Sequence, residues 1–287
     1  MITRPIKQGS LFALATCFWL SATSVLGMNP SVQAIVDRAV ERSESQLAAD
    51  AELDFEALVL TVAESLSAKG GVEKSDKSVY ARYPLNGAVY DELIEKEGRL
   101  LTEKEVRKEK EKRAKFIREV QDRIARGDPP QPEDERQVRF DREFMRRYRT
   151  ELIGEESLRG HSCWVVYFEP RDGKLPVRRR MDEALNKSTG KIWIAQDDYG
   201  LVRAEFEMRE PIRYLAGLLA TVRNVSGRLE FDRIEPNVWF PTDFALKLDM
   251  RIVFKNIRRN IKMTWSEYRR TEPGQIPRLS RQDPVAH

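Results

Sequence analysis

Apolar side chains recur at three- and four-residue intervals over Val32, Ile35, Val36, Ala39, Val40 and Leu47. That period predicts a helix over about 31–48, with Pro30 placed where a first helical turn tolerates it. Leu58, Val59, Leu60 and Val62 then form a short run that periodicity alone cannot divide between helix and strand; we read a strand within 53–67. Gly70-Gly71 turns the chain, and 77–83 and 88–95 are predicted strands joined through Pro84-Leu85-Asn86-Gly87.

Thr102 to Arg126 is different material. Thr102 stands three residues before Glu105, a capping box, and Gly127-Asp128-Pro129-Pro130 stops the helix it opens. Val106, Ala114, Ile117, Val120 and Ile124 make only a thin apolar stripe among ten basic and six acidic side chains, so one face packs and most of the helix is wet. A loop at 128–135, rich in proline and acid, leads to Arg136–Arg149, where six arginines alternate with Val138, Phe140, Phe144, Met145 and Tyr148.

Beyond Thr150 almost every apolar run reads as strand. Cys163 to Phe168 is β-branched and aromatic, Gly190 to Ile194 follows a turn at 186–189, and Leu201 to Met208 places Val202, Ala204, Phe206 and Met208 opposite Arg203, Glu205 and Glu207. Gly227 to Phe231 repeats the alternation. So does 243–254, with Phe244, Leu246, Leu248, Met250, Ile252 and Phe254 on one face; Ile261, Met263 and Trp265 extend the series. Alternation this strict predicts a half-buried antiparallel sheet. The tail from Thr271, with three prolines and no apolar period, is expected to be disordered.

The chain has 287 residues, 41% hydrophobic and 33% charged, too apolar for a disordered protein and too charged for a multi-span membrane protein. A net charge of +4 is small against 96 charged groups and does not call for a nucleic-acid partner. Arg4 and Lys7 precede an uncharged stretch from Leu11 to Leu26, the layout of a secretory signal, with a cut expected after Gly27 and Ala34 as a second candidate. An uncleaved anchor is the alternative. Cys17 faintly resembles a lipobox cysteine, but Thr16 is an unusual residue before one. Removal of the signal leaves Cys163 alone, without a disulfide or a cysteine metal cluster.

Chemistry-bearing groups are few. Histidine is confined to His161, in a turn, and His287, the last residue, so neither a metal pair nor a Ser-His-Asp triad assembles readily. Ser188 and Lys191 have a Ser-x-x-Lys spacing, but between strands rather than at a helix start. Asp182-Glu183 and Asp197-Asp198 could hold calcium or act as acid and base, although Asp197-Asp198-Tyr199-Gly200 reads better as a hairpin turn. No phosphate-binding glycine motif occurs. No enzyme activity and no cofactor are expected. The arginine-rich 136–149 stretch could meet an anionic lipid surface; a secreted location disfavours nucleic acid.

Three stretches together resemble the LolA/LolB/RseB-like superfamily of periplasmic lipoprotein-sorting and related proteins. Gly154 to Pro170 (GEESLRGHSCWVVYFEP) looks like that family's glycine-bounded hairpin ending in proline. Gly190 to Asp197 with Leu201-Val202-Arg203 resembles its following hairpin, and Val238-Trp239-Phe240-Pro241 its W-x-P before a long strand. The match spans about 150–268, and the long charged segment at 102–149 goes beyond the small carriers. The resemblance implies an α+β fold: a curved antiparallel sheet, a half-closed barrel, whose concave face is covered by helices around an apolar cavity for acyl chains. It carries over no catalytic or ligand residue.

The candidate lining, read from the one-sided strands, is Val202, Phe206, Met208, Leu229, Phe231, Leu246, Leu248, Met250, Ile252 and Phe254. Ordinary core packing explains the same residues. Two functions follow as expectations for a single domain over 28–270. One is a periplasmic or secreted carrier whose partner is a lipid or the acyl chains of a lipoprotein. The other is an envelope interaction or sensor module docking a protein or membrane surface through its charged helical segment.

Overall fold

Asn86 and Gly87 turn the chain with φ of 53° and 82°, the left-handed values that a two-residue hairpin demands, and so set Leu85 opposite Ala88. Hairpins of this kind build most of the sheet. A computed structural model describes residues 30–131 and 138–271; the expected signal segment with Cys17, part of the acidic proline loop and the expected disordered tail lie outside the described residues. The strands are β1 (Phe55–Leu66), β2 (Val72–Leu85), β3 (Ala88–Lys96), β4 (Arg99–Leu100), β5 (Tyr148–Leu158) and β6 (His161–Pro170). They continue as β7 (Ser188–Ala195), β8 (Leu201–Met208), β9 (Ile212–Tyr214), β10 (Ala220–Glu235), β11 (Val238–Ile252) and β12 (Lys255–Arg270). The helices are α1 (Val32–Ala48), α2 (Glu103–Arg126), α3 (Arg142–Met145) and α4 (Arg180–Leu185).

All strands pair antiparallel in the order β4-β3-β2-β1-β12-β11-β10-β8-β7-β6-β5, with β9 beside the start of β10. The first long strand and the last therefore lie together in the middle of an open sheet. Cross-strand neighbours define its faces. One rung runs Leu152, Val166, Ile192, Ala204, Leu229, Phe244, Met263 and Thr61. The next runs Phe168, Gly190, Phe206, Gly227, Leu246, Ile261 and Ala63.

This second rung explains two glycines. A Cβ at Gly190 would strike the Glu205 carbonyl oxygen and come within 2.7 Å of the Phe168 ring; one at Gly227 would come within 2.6 Å of the Phe206 ring. Each aromatic ring leans over the bare backbone of the next strand, which lets the sheet bend inward there. Register slips, among them those at Glu56/Leu58, Trp193/Ile194, Val222/Asn224 and Glu230/Phe231, add local bends of the same kind.

Helix α1 covers the inward, concave face. Ser31 caps it by accepting the Ala34 amide, and Ile35, Val36, Ala39 and Val40 pack on Trp164, Val166, Ile192 and Ile194. The arginine-rich stretch supplies the rest of this cover. Among its described residues only Arg142–Met145 is helical; Tyr148 already begins β5, and Phe140, Phe144, Met145 and Tyr148 join the same core. Three of its arginines are engaged: Arg142 lies near Glu41 and Glu44, Arg149 pairs with Glu169 and Asp172, and Arg147 is buried against Asp182 at 3.2 Å.

Helix α2 forms with the expected capping box and packs on the sheet face opposite the one α1 covers. Ala81, Tyr83 and Tyr90 form its seat with Phe116, while Arg82, between Ala81 and Tyr83, faces the concave side. Tyr90 donates to Glu109 at 2.7 Å across that contact.

Candidate functional site

Where the C-terminal half of α1 rises from the sheet, it leaves a cavity of about 330 Å³. Its floor is apolar: Phe55 and Ala57 from β1, Leu229 and Phe231 from β10, Phe244 from β11 and Trp265 from β12. Ala39 of α1 and Val138 and Phe140 before α3 close it from the other side, and Arg42, Arg82, Arg139 and Glu52 stand among these walls. Such a size is at the lower end of the ~300–1,000 Å³ typical of small-molecule sites.

Polar groups around it mostly hold the frame. Arg42 and Arg233 pair with Asp198 at 3.1 and 3.3 Å, the Trp239 indole N–H donates to the same carboxylate at 3.0 Å, and Arg233 also meets Asp197 at 2.6 Å. Arg82 pairs with Glu52 at 3.4 Å. Tyr268 donates to the Pro241 carbonyl at 2.6 Å, and burial pushes its hydroxyl well above the ordinary phenol pKa. Trp265 differs. Its indole nitrogen is buried without a hydrogen-bond partner among the described residues, so it faces the packed interior rather than the open space of the cavity.

The proposed lining residues divide into three groups. Leu229 and Phe231 line the cavity. Phe206, Leu246, Leu248 and Met250 lie half-buried on strands beyond it, with Phe206 and Leu246 on one rung, and Met208 is buried on β8. The other three are placed differently from the sequence reading. At the slip between Trp193 and Ile194, Val202 has no cross-strand partner, and it turns away to pack with Cys163, Trp193 and Trp239 in a second core, while Leu201 takes the inward place. Ile252 ends β11 at 42% exposed, and Phe254 lies in the following turn at 95% exposed, so neither lines an interior.

Phe55, Ala57, Phe240, Trp265 and Tyr268 enter the cavity without having been candidates. For Phe55, Ala57, Trp265 and Tyr268 the signal was the pairing of β1 with β12, which no local pattern announces; Phe240 lies on β11. The expected absence of a catalytic constellation meets these placements. The Ser188 hydroxyl donates to the Ala184 carbonyl at 2.7 Å, and Lys191, three residues along the strand, points to the other face. Asp197 and Asp198 occupy the turn before β8 and are consumed by arginines. His161 packs on Trp239 with ring centroids 4.9 Å apart. Among the described residues no cluster of three or more His, Cys, Asp or Glu is placed to hold a metal, and no helix is long and apolar enough to cross a membrane.

The chain matches no family model and no curated protein. Among solved structures it is similar to a LolA superfamily protein from Nitrosomonas europaea, at 13% identity and a TM-score of 0.33, over 85% of this chain and 95% of that one. It is also similar to a putative outer membrane lipoprotein-sorting protein domain from Vibrio parahaemolyticus, at 12% identity and a TM-score of 0.32, over 84% and 95%. A third is a chain of the MucA/MucB complex of Pseudomonas aeruginosa, at 10% identity and a TM-score of 0.24, over 83% and 98%. Likeness at this distance lays no residue of theirs onto a residue here and says nothing about a ligand.

Proposed function

We propose that this protein is a non-enzymatic carrier of the cell envelope, working in the periplasm or outside the cell after loss of its N-terminal segment, which shelters an acyl chain of a lipid or lipoprotein under α1. The observation that carries this reading is the apolar cavity between α1 and the sheet, with Phe206, Leu246 and Leu248 half-buried on the strands beyond it. Each methylene moved from water into such a site contributes about 0.8 kcal/mol, so part of one chain suffices for useful affinity after the ordering cost. The cavity volume suits a segment of acyl chain rather than a whole lipid. Release then follows from a competing apolar site of higher affinity and needs no bond chemistry.

Titration with a dansylated undecanoic acid tests this. Saturable fluorescence enhancement at one probe per chain is expected, weakened at least about tenfold in Leu229→Trp, which fills the cavity from its floor. Unsaturable binding, or an unchanged affinity in a folded Leu229→Trp protein, contradicts it.

The interaction-module reading retains one specific support: α2 buries only Glu109 and Val120 and leaves most of its charged side chains exposed. Charge reversal at exposed positions of α2 that leaves every envelope partner bound would remove that support.

A further inference from the structure

At the end of the sheet away from the cavity, apolar side chains run out into solvent. The segment between β9 and β10 and the turn between β11 and β12 are tied together, the Val253 amide donating to the Leu219 carbonyl at 2.8 Å and the Arg251 guanidinium to the Gly217 carbonyl at 2.9 Å. On this knob Phe254 is 95% exposed, Leu218 80% and Leu215 72%, with Leu219, Ile252 and Val253 exposed beside them. Exposed apolar residues scattered singly need no explanation; six gathered on two joined segments do.

Charge indicates what covers them. The segments 213–223 and 250–259 hold six basic residues, Arg213, Arg223, Arg251, Lys255, Arg258 and Arg259, and no acidic one, in a chain whose total is only +4. Asp249 neutralises part of this, pairing with Arg223 at 3.3 Å and Arg258 at 3.1 Å. No carboxylate is paired with Arg213, Arg251, Lys255 or Arg259 by an ion pair among the described residues. A second copy of the chain is a poor occupant, because a two-fold contact would set the same basic rim against itself.

We propose that this knob docks on an anionic lipid bilayer, with Phe254, Leu215 and Leu218 entering the interface and the surrounding arginines and Lys255 meeting headgroup phosphates. An apolar tip ringed by cations is the arrangement that gains from both acyl burial and the negative surface potential. From the knob, Met250, Leu248, Leu246 and Phe244 follow one another along the same face of β11 to the cavity, a path of roughly 30 Å at ~3.3 Å per residue. The docking rests on the exposed cluster and its charge alone. Only its use as an entry path for an acyl chain rests on the carrier reading.

Flotation of the full chain, as the cell processes it, with vesicles of equal parts phosphatidylcholine and phosphatidylglycerol tests the docking. The parent is expected to float with these vesicles and to be released by high salt, and to float poorly with phosphatidylcholine alone. Phe254→Asp with Leu218→Asp is expected to lower the bound fraction about tenfold, and Lys255→Glu with Arg213→Glu to lower it in anionic vesicles only. Leu229→Trp should float like the parent, so loss of probe binding in the cavity and loss of flotation report on separate claims. A folded parent that does not float overturns the proposal. Aspartate and glutamate variants that float as well as the parent do so too, as does a knob whose substitution instead dissolves a dimer of this chain.

Discussion

Gln46 holds both main-chain groups of Trp239, donating from Nε2 to its carbonyl at 2.8 Å and accepting its amide on Oε1 at 2.9 Å. In the register, β12 reaches β11 only from Asp243 onward, so at Trp239 a side-chain amide stands where a neighbouring strand would otherwise be. This ties the C-terminal half of α1 to the mouth of the cavity. Gln46→Ala leaves one donor and one acceptor without their partner, at a cost of about 1–3 kcal/mol. For a chain of this size each kcal/mol is worth about 2–4 °C, so a thermal melt reads it directly. Gln46→Glu, which keeps the acceptor and loses the donor, should fall between parent and alanine.

Gly200 is fixed by the same tryptophan. A Cβ there would collide with the Trp239 indole, while the Gly200 amide donates to Asp198 at 2.9 Å in the turn that also binds that indole. Gly200→Ala should destabilise by about 1–3 kcal/mol through overpacking, and the displaced indole should change the intrinsic fluorescence. Unchanged stability and emission would show that the ring is not seated on the glycine.

The buried Asp182 carries a pH dependence. Burial by itself would raise its pKa, but the amides of Arg178 and Arg179, at 2.8 and 3.1 Å, and the charges of Arg147 and Arg179 outweigh it and hold the carboxyl below the ordinary range. A folded-state pKa lower than the unfolded ~3.9 contributes stability that is full above that value and is lost as pH falls through the folded one. Asp182→Asn also strands the buried Arg147, a cost of about 3–5 kcal/mol at neutral pH. Urea unfolding at pH 7 and pH 3 should therefore show a larger penalty for the variant at pH 7 than at pH 3; equal penalties would contradict the assignment.

Cys163 is buried in the second core, and burial pushes its thiol up to about 11. Alkylation by iodoacetamide at pH 8 should be slow in the folded protein and fast in urea. Rapid native labelling would mean that this core opens.

Much of the fold could be read from the chain because its signals are local. The 3.6-residue period of α1, the Thr102 and Glu105 pair that starts α2, and the Asn86-Gly87 turn are complete within a few residues, and each stands where it was expected. The site was legible only in part. Strict alternation placed Val202 with Phe206, and a single slip opposite Trp193 and Ile194 reversed its face, because a period of two carries no mark of one extra residue. Phe254 continued the alternation of β11 in sequence, but the strand ends at Ile252 and the turn takes it outward. Trp265 and Phe55 meet in the cavity because β1 and β12 pair across nearly the whole chain, a contact no sequence window contains. Helix α4 went unread because its anchor, Asp182 with Arg147, is also a long-range contact.

Native mass spectrometry of the protein purified under mild conditions from the envelope fraction, followed by analysis of an organic extract, tests the carrier claim most directly. A stoichiometric adduct that yields an acyl lipid, present in the parent and lost from folded Leu229→Trp, is the predicted result. A parent with the bare mass of the polypeptide that takes up no lipid on incubation would contradict it.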